Sequence, residues 1–225
     1  MIDVAPGTIA LFSDIGCPWA HLSVHRVLAA RRRLGLDGRV VLDHRAFPLE
    51  VYNRRPTPKR ILDAEVAVVA GLEPDAGWEM WQDEEQAYPV TTLLALEAVQ
   101  AAKEQGLRAS EELDYALRVA FFGQSQCISL RHVILEAAEK CGGVDAEALR
   151  DALDHGRARR AVFEQAVDGE REQVQGSPHF FLTDGTDVHN PGIEQHWTAD
   201  KGRGVPVVTR DDPAVYEDIL RRAIA

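Results

Sequence analysis

Cysteine is scarce in this sequence. Only three occur among 225 residues, at Cys17, Cys127 and Cys141. An odd number at wide spacing does not form the disulfide framework of a small secreted protein, so we interpret each as a free thiol. The amino end lacks the basic and apolar regions of a signal peptide, and no apolar stretch approaches the roughly 20 residues that cross a bilayer. We therefore expect a soluble protein of the reducing cytoplasm, without a membrane partner.

Positive charge is also in the minority. Lys and Arg number 25 against 36 Asp and Glu, which gives a formal net charge of −11. Such a balance disfavours binding to nucleic acid. Apolar residues make up 45% of the chain, an ordinary share for a globular protein, and a chain of this length can bury a sizeable core.

Proline is absent between Pro89 and Pro178, although several prolines occur on both sides. A long stretch without proline favours helices. We expect Ser110 and Asp145 to cap two of these helices and glycines such as Gly123 to mark the gaps. The predicted helices are Ile61–Ala70, Val90–Gln105, Ser110–Phe122, Leu130–Lys140, Asp145–Leu153 and Ala158–Gln173.

Both ends of the chain show strand patterns with a helix beside them. The predicted elements are a strand at Thr8–Ser13, a helix at Pro18–Leu34, a strand at Val40–Phe47, a hairpin of Pro178–Thr183 with Thr186–His189, and a last helix from Asp212 to Ile224. The order β-α-β, helical block, β-β-α predicts an α/β fold. We expect one domain from residues 1–58 and 173–225, and a helical insertion domain from residues 59–172.

The segment Phe12–Ala20 places a cysteine directly after a strand and at the start of a helix. Free N–H groups and the helix dipole stabilise an anion there, which predicts a Cys17 pKa below the usual value of about 8.5. Pro18 suits the first helical position. Asp14 works against the thiolate because like charges repel.

Two neighbours of Cys17 are candidates for supporting roles. His21 follows by four residues, so on a helix it would share a face with the thiol and could activate it. A histidine that merely packs or faces solvent is the other interpretation. Trp19 is expected at the surface beside the thiol, as part of a binding face.

Other polar groups receive ordinary structural interpretations. His179, His189 and His196 fit no common metal-ligand spacing, so we expect no metal site and place His179 in a strand. The run Arg31–Arg33 ends the first helix, where cations offset the helix dipole.

The combination of strand, Cys17-Pro18-Trp19, helix, strand, helical insertion and Gly176–Phe181 resembles the DsbA superfamily of thioredoxin-fold proteins, and within it the cytoplasmic FrnE-like branch. The resemblance implies that Cys17 is the nucleophile and that Ser177-Pro178 is the loop with a cis proline that binds substrate beside the thiol. Pro18 and Trp19 would complete that binding face. Ser177 could donate its hydroxyl to the thiolate and so activate it.

Ala20 departs from the family pattern, because dithiol members carry there a second cysteine that resolves the mixed disulfide. The resemblance therefore implies a thiol–disulfide oxidoreductase or isomerase that uses Cys17 alone. An external thiol such as glutathione or mycothiol would resolve the adduct, and no cofactor stays bound. Cys127 or Cys141 as a distant resolver is less expected than two buried structural cysteines.

Two other functions remain open at this point. One is a glutathione-type transferase or isomerase, similar to kappa-class transferases and hydroxychromene-carboxylate isomerases, with Cys17 where those enzymes carry serine. The other is a peptide-binding module without catalysis. The expected partners are a small thiol or a protein or peptide disulfide. A homodimer is one of the assemblies that the sequence leaves open.

Overall fold

The strand β1 (Thr8–Ser13) is apolar along most of its length because it lies inside a sheet. It pairs in parallel with β2 (Val41–Ala46), and the helix α1 (Pro18–Arg33) connects the two. On its other side β1 pairs antiparallel with β3 (His179–Phe181), which forms the predicted hairpin with β4 (Asp187–His189). The strand order is therefore β2-β1-β3-β4. The computed structural model describes residues 2–171 and 174–224.

Helices fill the chain between β2 and β3, as predicted. They are α2 (Leu49–Tyr52), α3 (Lys59–Leu72), α4 (Leu93–Ala102), α5 (Leu107–Gln124), α6 (Arg131–Glu139), α7 (Ala146–Asp154) and α8 (Arg159–Arg171), with short 3-10 helices at Pro74–Ala76, Glu85–Ala87 and Lys103–Gln105. The expected domain boundary at residues 172–173 and the expected end of the last of these helices at Gln173 lie outside the described residues. No helix in the described ranges is long and apolar enough to span a membrane.

Two predictions within the helical block were wrong and one is confirmed. The helix α5 begins before Ser110, whose buried hydroxyl donates to the Val99 carbonyl (2.8 Å), so Ser110 is not a cap. Gly123 lies inside α5 rather than in a gap. It is a glycine because a Cβ there would meet the Gly77 carbonyl oxygen at 2.4 Å. Asp145 caps α7 as expected, accepting hydrogen bonds from two backbone N–H groups.

A second sheet after the hairpin was not predicted. It consists of β5 (Ile193–Trp197) paired antiparallel with β6 (Pro206–Asp211). The last helix, α9 (Val215–Ala223), begins slightly later than expected. The first sheet packs its apolar residues against α1 and α9, and a separate cluster forms the interior of the helical block.

Arg31 does more than offset the dipole of α1. Its guanidinium donates to both oxygens of Glu111 on α5 (2.7 and 2.8 Å) and to the Val40 carbonyl (3.1 Å). Glu111 also accepts from the Leu42 N–H at 2.8 Å, so one buried ion pair joins α1, α5 and β2. This geometry satisfies both charges where water does not reach them.

We predict that Arg31→Met lowers the free energy of unfolding by about 3 kcal/mol, because the Glu111 carboxylate loses its main partner inside the protein. Arg33→Met is the matched control: Arg33 has a side chain that is 60% exposed, against 9% for Arg31, and its loss should cost less than about 1 kcal/mol. Urea unfolding of both variants measures the difference. Equal losses would contradict the structural role of the Arg31–Glu111 pair.

Candidate active site

Cys17 occupies the helix start that the sequence predicts. It is the N-cap of α1, with an extended backbone (φ −91°, ψ 116°), and Pro18 is the first helical residue. Its carbonyl accepts hydrogen bonds from the N–H groups of Ala20 (3.1 Å) and His21 (3.0 Å). The N–H groups of Ala20 and His21 therefore bind the Cys17 carbonyl, and the Ala20 N–H also lowers the pKa of the thiol.

The loop before β3 meets the thiol directly. The Ser177-Pro178 peptide bond is cis, and the Cys17 Sγ donates to the Ser177 carbonyl oxygen at 3.1 Å. The Ser177 hydroxyl accepts a hydrogen bond from the Asp14 N–H at 2.9 Å, and hydrogen bonding by the Ser177 side chain lowers the pKa of Cys17, in the direction expected from the sequence. Ser177 thus joins the two loops through its backbone carbonyl and its hydroxyl.

A fully buried arginine from the helical block holds the loop that precedes Cys17. Arg118 on α5 donates to the Asp14 carbonyl (3.0 Å) and to the Ser13 hydroxyl (2.8 Å), and its Nε lies 2.6 Å from an Asp114 carboxylate oxygen. Sequence reasoning missed this residue. The available signal was the spacing of four residues between Asp114 and Arg118, which is typical of ion pairs on one helix face.

Asp14 also has a structural role in the same loop. Its two carboxylate oxygens accept from the N–H groups of Gly16 (2.8 Å) and Leu49 (2.7 Å), so the carboxylate ties the start of α2 to the loop. Burial raises the pKa of this carboxyl.

The expected depression of the Cys17 pKa was wrong. The side chain is only 4% exposed, and burial raises the pKa of the thiol to about 11. Hydrogen bonding from the Ser177 side chain and the Ala20 N–H lowers the pKa, whereas the carboxylates of Glu65 and Asp14 raise it. Loss of water around the sulfur outweighs the helix start because the thiolate form would lie unsolvated in an apolar cluster.

His21 does not activate the thiol in this structure. Its Nε2 lies 3.1 Å from the Ala76 carbonyl oxygen, and its ring stacks on Phe122 and meets the edge of Trp78. Burial lowers the pKa of His21 to about 3, so the ring is neutral. The spacing of four residues was a poor guide because Cys17 is the N-cap and has an extended backbone, so the regular helical relation between positions four apart does not apply to it.

Trp19 is buried and not on the surface as expected. It packs in one apolar cluster with Cys17, Leu22, Val69 on α3 and Ile193 on β5. The β5–β6 hairpin, which the sequence analysis did not find, lies over this side of α1. That cover explains why both Trp19 and the thiol are shielded from water.

A cavity of about 310 Å³ opens beside the thiol. Among the residues predicted to bind substrate, Pro18, Trp19 and Ser177 line it together with Cys17, whereas Pro178 is not among the described lining residues. The other lining residues come from α2 and the segment after it, from α3, from the end of β4 and from the turn between β5 and β6; they include Tyr52, Arg55, Ile61, Glu65, His189 and Lys201. Sequence reasoning missed this part of the cavity because its residues share no motif.

The remaining candidates lie outside the cavity. Cys141 is buried at the end of α6 and its thiol donates to the Ala137 carbonyl at 3.3 Å; Cys127 is half-buried after α5, and neither lines the cavity. Ala20, at the position of the absent second cysteine, is fully buried. His179 lies in β3 as expected, with its Nε2 2.8 Å from an Asp187 oxygen.

A cysteine at the start of a helix, a cis-proline loop against it and a helical block inserted into a four-stranded mixed sheet define a thioredoxin-like protein. The family model for the DSBA-like thioredoxin domain matches residues 8–200. This chain therefore belongs to the DSBA-like thioredoxin domain family, which confirms the resemblance seen in the sequence. No curated protein sequence matches the chain significantly.

Solved structures show the same fold. A probable DsbA oxidoreductase from Streptomyces coelicolor is 19% identical, with a TM-score of 0.67, and the match covers 96% of this chain and 89% of that one. The cytosolic disulfide reductase DsbM from Pseudomonas aeruginosa is 18% identical, with a TM-score of 0.65 over 81% and 89%. A 2-hydroxychromene-2-carboxylate isomerase is 16% identical, with a TM-score of 0.59 over 80% and 87%.

We predict that alkylation of Cys17 by iodoacetamide accelerates throughout the alkaline range and gives a pKa of about 11. The thiolate is the reacting form, so a raised pKa slows the reaction at neutral pH. Peptide mapping by mass spectrometry assigns the modified cysteine. The same protein unfolded in urea is the control and should give a pKa of about 8.5. A folded-state pKa below that of the unfolded chain would contradict the dominance of burial.

Proposed function

We propose that this chain is a DsbA-like thiol–disulfide oxidoreductase or isomerase that uses Cys17 alone and relies on an external thiol to resolve the adduct. One observation supports the proposal above all. The Cys17 Sγ donates a hydrogen bond to the carbonyl of Ser177 in the cis-proline loop, at the wall of a cavity, and a buried alanine, Ala20, occupies the position of the second thiol.

The reaction would proceed by two exchanges. The Cys17 thiolate attacks one sulfur of a substrate disulfide, a Cys17–substrate disulfide forms, and the other half leaves as a thiolate that takes up the proton lost by Cys17. An external thiolate then attacks the mixed disulfide, which restores the Cys17 thiol and releases a new disulfide. Cys17 is thus oxidised in the first exchange and reduced in the second.

A small thiol fits the second step. The DsbM fold relative has also been solved with GSH, and the cavity of about 310 Å³ beside Cys17 suits a molecule of modest size. We therefore propose glutathione or mycothiol as the external thiol. We also propose that the reaction takes place in the reducing cytoplasm, where such thiols are abundant.

The protonated state of Cys17 favours one alternative. With a pKa of about 11, roughly one thiol in ten thousand is ionised at neutral pH. A neutral thiol donates a hydrogen bond as a serine hydroxyl does, so Cys17 could orient the sulfur of a bound thiol cosubstrate without forming a covalent bond. This is the role expected in a glutathione-type transferase or isomerase.

Incubation with the neutral bis(2-hydroxyethyl) disulfide tests the proposal. We expect a mixed disulfide at Cys17, detected by intact mass and peptide mapping, which excess glutathione reverses. Cys17→Ser should abolish the adduct, and Cys141→Ser should leave it unchanged because that thiol lies outside the cavity. Ala20→Cys should add catalysis of insulin disulfide reduction, since a second thiol can then resolve the adduct locally.

Three results separate the functions. Adduct formation at Cys17 with reversal by thiol supports the oxidoreductase. Reversible glutathione binding by calorimetry, without any adduct, supports the transferase or isomerase and overturns the proposal. Neither adduct nor thiol binding supports a peptide-binding module and also overturns it.

A further inference from the structure

Glu65 places a negative charge deep in the wall of the Cys17 cavity. It projects from α3, its side chain is 4% exposed, and it lines the same cavity as the thiol. Asp14, the other buried carboxylate near Cys17, has both oxygens occupied by backbone N–H groups. Glu65 binds no backbone N–H among the described residues, so its charge is available to whatever enters the cavity.

The cation that balances Glu65 comes from an exposed loop. Lys201 lies in the turn between β5 and β6, its Nζ is 3.0 Å from the Glu65 Oε1, and its side chain is 59% exposed. An ammonium group on a flexible stem that is largely in water is easily exchanged for another. Lys201 thus occupies a position that a cationic group of a ligand could take.

The charged side chains that line the cavity differ in how exposed they are to water. Arg55, the other cation that lines the cavity, is exposed, so water and salt screen it. The Glu65 carboxylate is shielded from water, where a charge acts on its neighbours more strongly. The charge nearest the interior is therefore negative, and it also raises the pKa of the Cys17 thiol.

We propose that Glu65 is a specificity-determining residue that favours disulfides of aminothiols, in which an ammonium group stands close to the sulfur, and that Lys201 fills the ammonium position while the cavity is empty. This inference rests on the proposed exchange at Cys17. A ligand ammonium that replaces Lys201 would keep the Glu65 charge balanced while the disulfide of the ligand lies beside the Cys17 sulfur.

The step itself is the first exchange described above. The Cys17 thiolate forms a bond to one aminothiol sulfur, the disulfide bond of the substrate breaks, and one aminothiol leaves with the proton that Cys17 lost. The ammonium group retained in the adduct then pairs with Glu65. No other reactant takes part.

A series of symmetrical disulfides tests the charge preference. The probes are cystamine, which is cationic, bis(2-hydroxyethyl) disulfide, which is neutral, and dithiodiglycolate, which is anionic. Rates of adduct formation at Cys17 are measured by mass spectrometry and divided by the rates for a peptide of residues 14–20, which has the same local sequence without the cavity. We expect cystamine to exceed the neutral disulfide by about tenfold in this ratio, and dithiodiglycolate to be the slowest.

Three variants assign the preference to Glu65. Glu65→Gln should remove the advantage of cystamine, while Lys201→Met should increase it because no cation of the protein competes. Asp63→Asn is the matched control: it removes one negative charge from the same helix, but Asp63 pairs with Lys59 and does not line the cavity, so the preference should persist.

Distinct outcomes bear on the two proposals. Equal normalised rates for the three probes, or a cystamine advantage that survives Glu65→Gln, overturns the role of Glu65 and leaves the exchange chemistry standing. If Glu65→Gln does not fold, the exposed Lys201→Met variant tests the role of Glu65. A cystamine advantage in Lys201→Met that is unchanged or reduced overturns the inference. Absence of an adduct with all three disulfides overturns the proposed function and this inference together.

Discussion

The buried ion pair of Arg118 and Asp114 is the interaction on which the candidate site depends. Arg118 extends from the helical block to the carbonyl of Asp14 and the hydroxyl of Ser13, so the loop before Cys17 is fixed from a different part of the chain. Asp114 compensates the guanidinium in a place that water does not reach. The helical block therefore does more than cover the sheet. It fixes the position of the backbone that carries the thiol.

Burial then decides the chemistry that this position supports. The start of a helix lowers the pKa of a thiol only when its amides or its dipole act on the sulfur. Here the Ala20 N–H and the Ser177 side chain lower the pKa of Cys17, but burial raises it by more. The resting thiol is consequently protonated, so the exchange proposed above requires Cys17 to lose its proton when a substrate binds.

Local sequence was sufficient for much of the fold. The alternation of apolar runs, the proline-free segment and Pro18 at a helix start predicted β1, α1, β2, the helical block and the β3–β4 hairpin. The strand β5 was missed because polar residues make up the middle of Ile193–Trp197 and the strand is largely exposed or half-buried, and β6 was missed because it begins at a proline and ends in polar residues. Gly123 was misplaced because its small size serves a contact with Gly77, which only packing creates.

The sequence by itself determined the family, the presence of one thiol at a helix start and the absence of its partner at Ala20, since these depend on residues adjacent in the chain. Only the tertiary structure decided the pKa of that thiol and which side chains surround it. The pKa of Cys17 depends on the β5–β6 hairpin and α3, which remove water from the sulfur. Glu65, Lys201 and Arg118 come from distant segments, and their charges matter because folding brings them into a region of low dielectric constant.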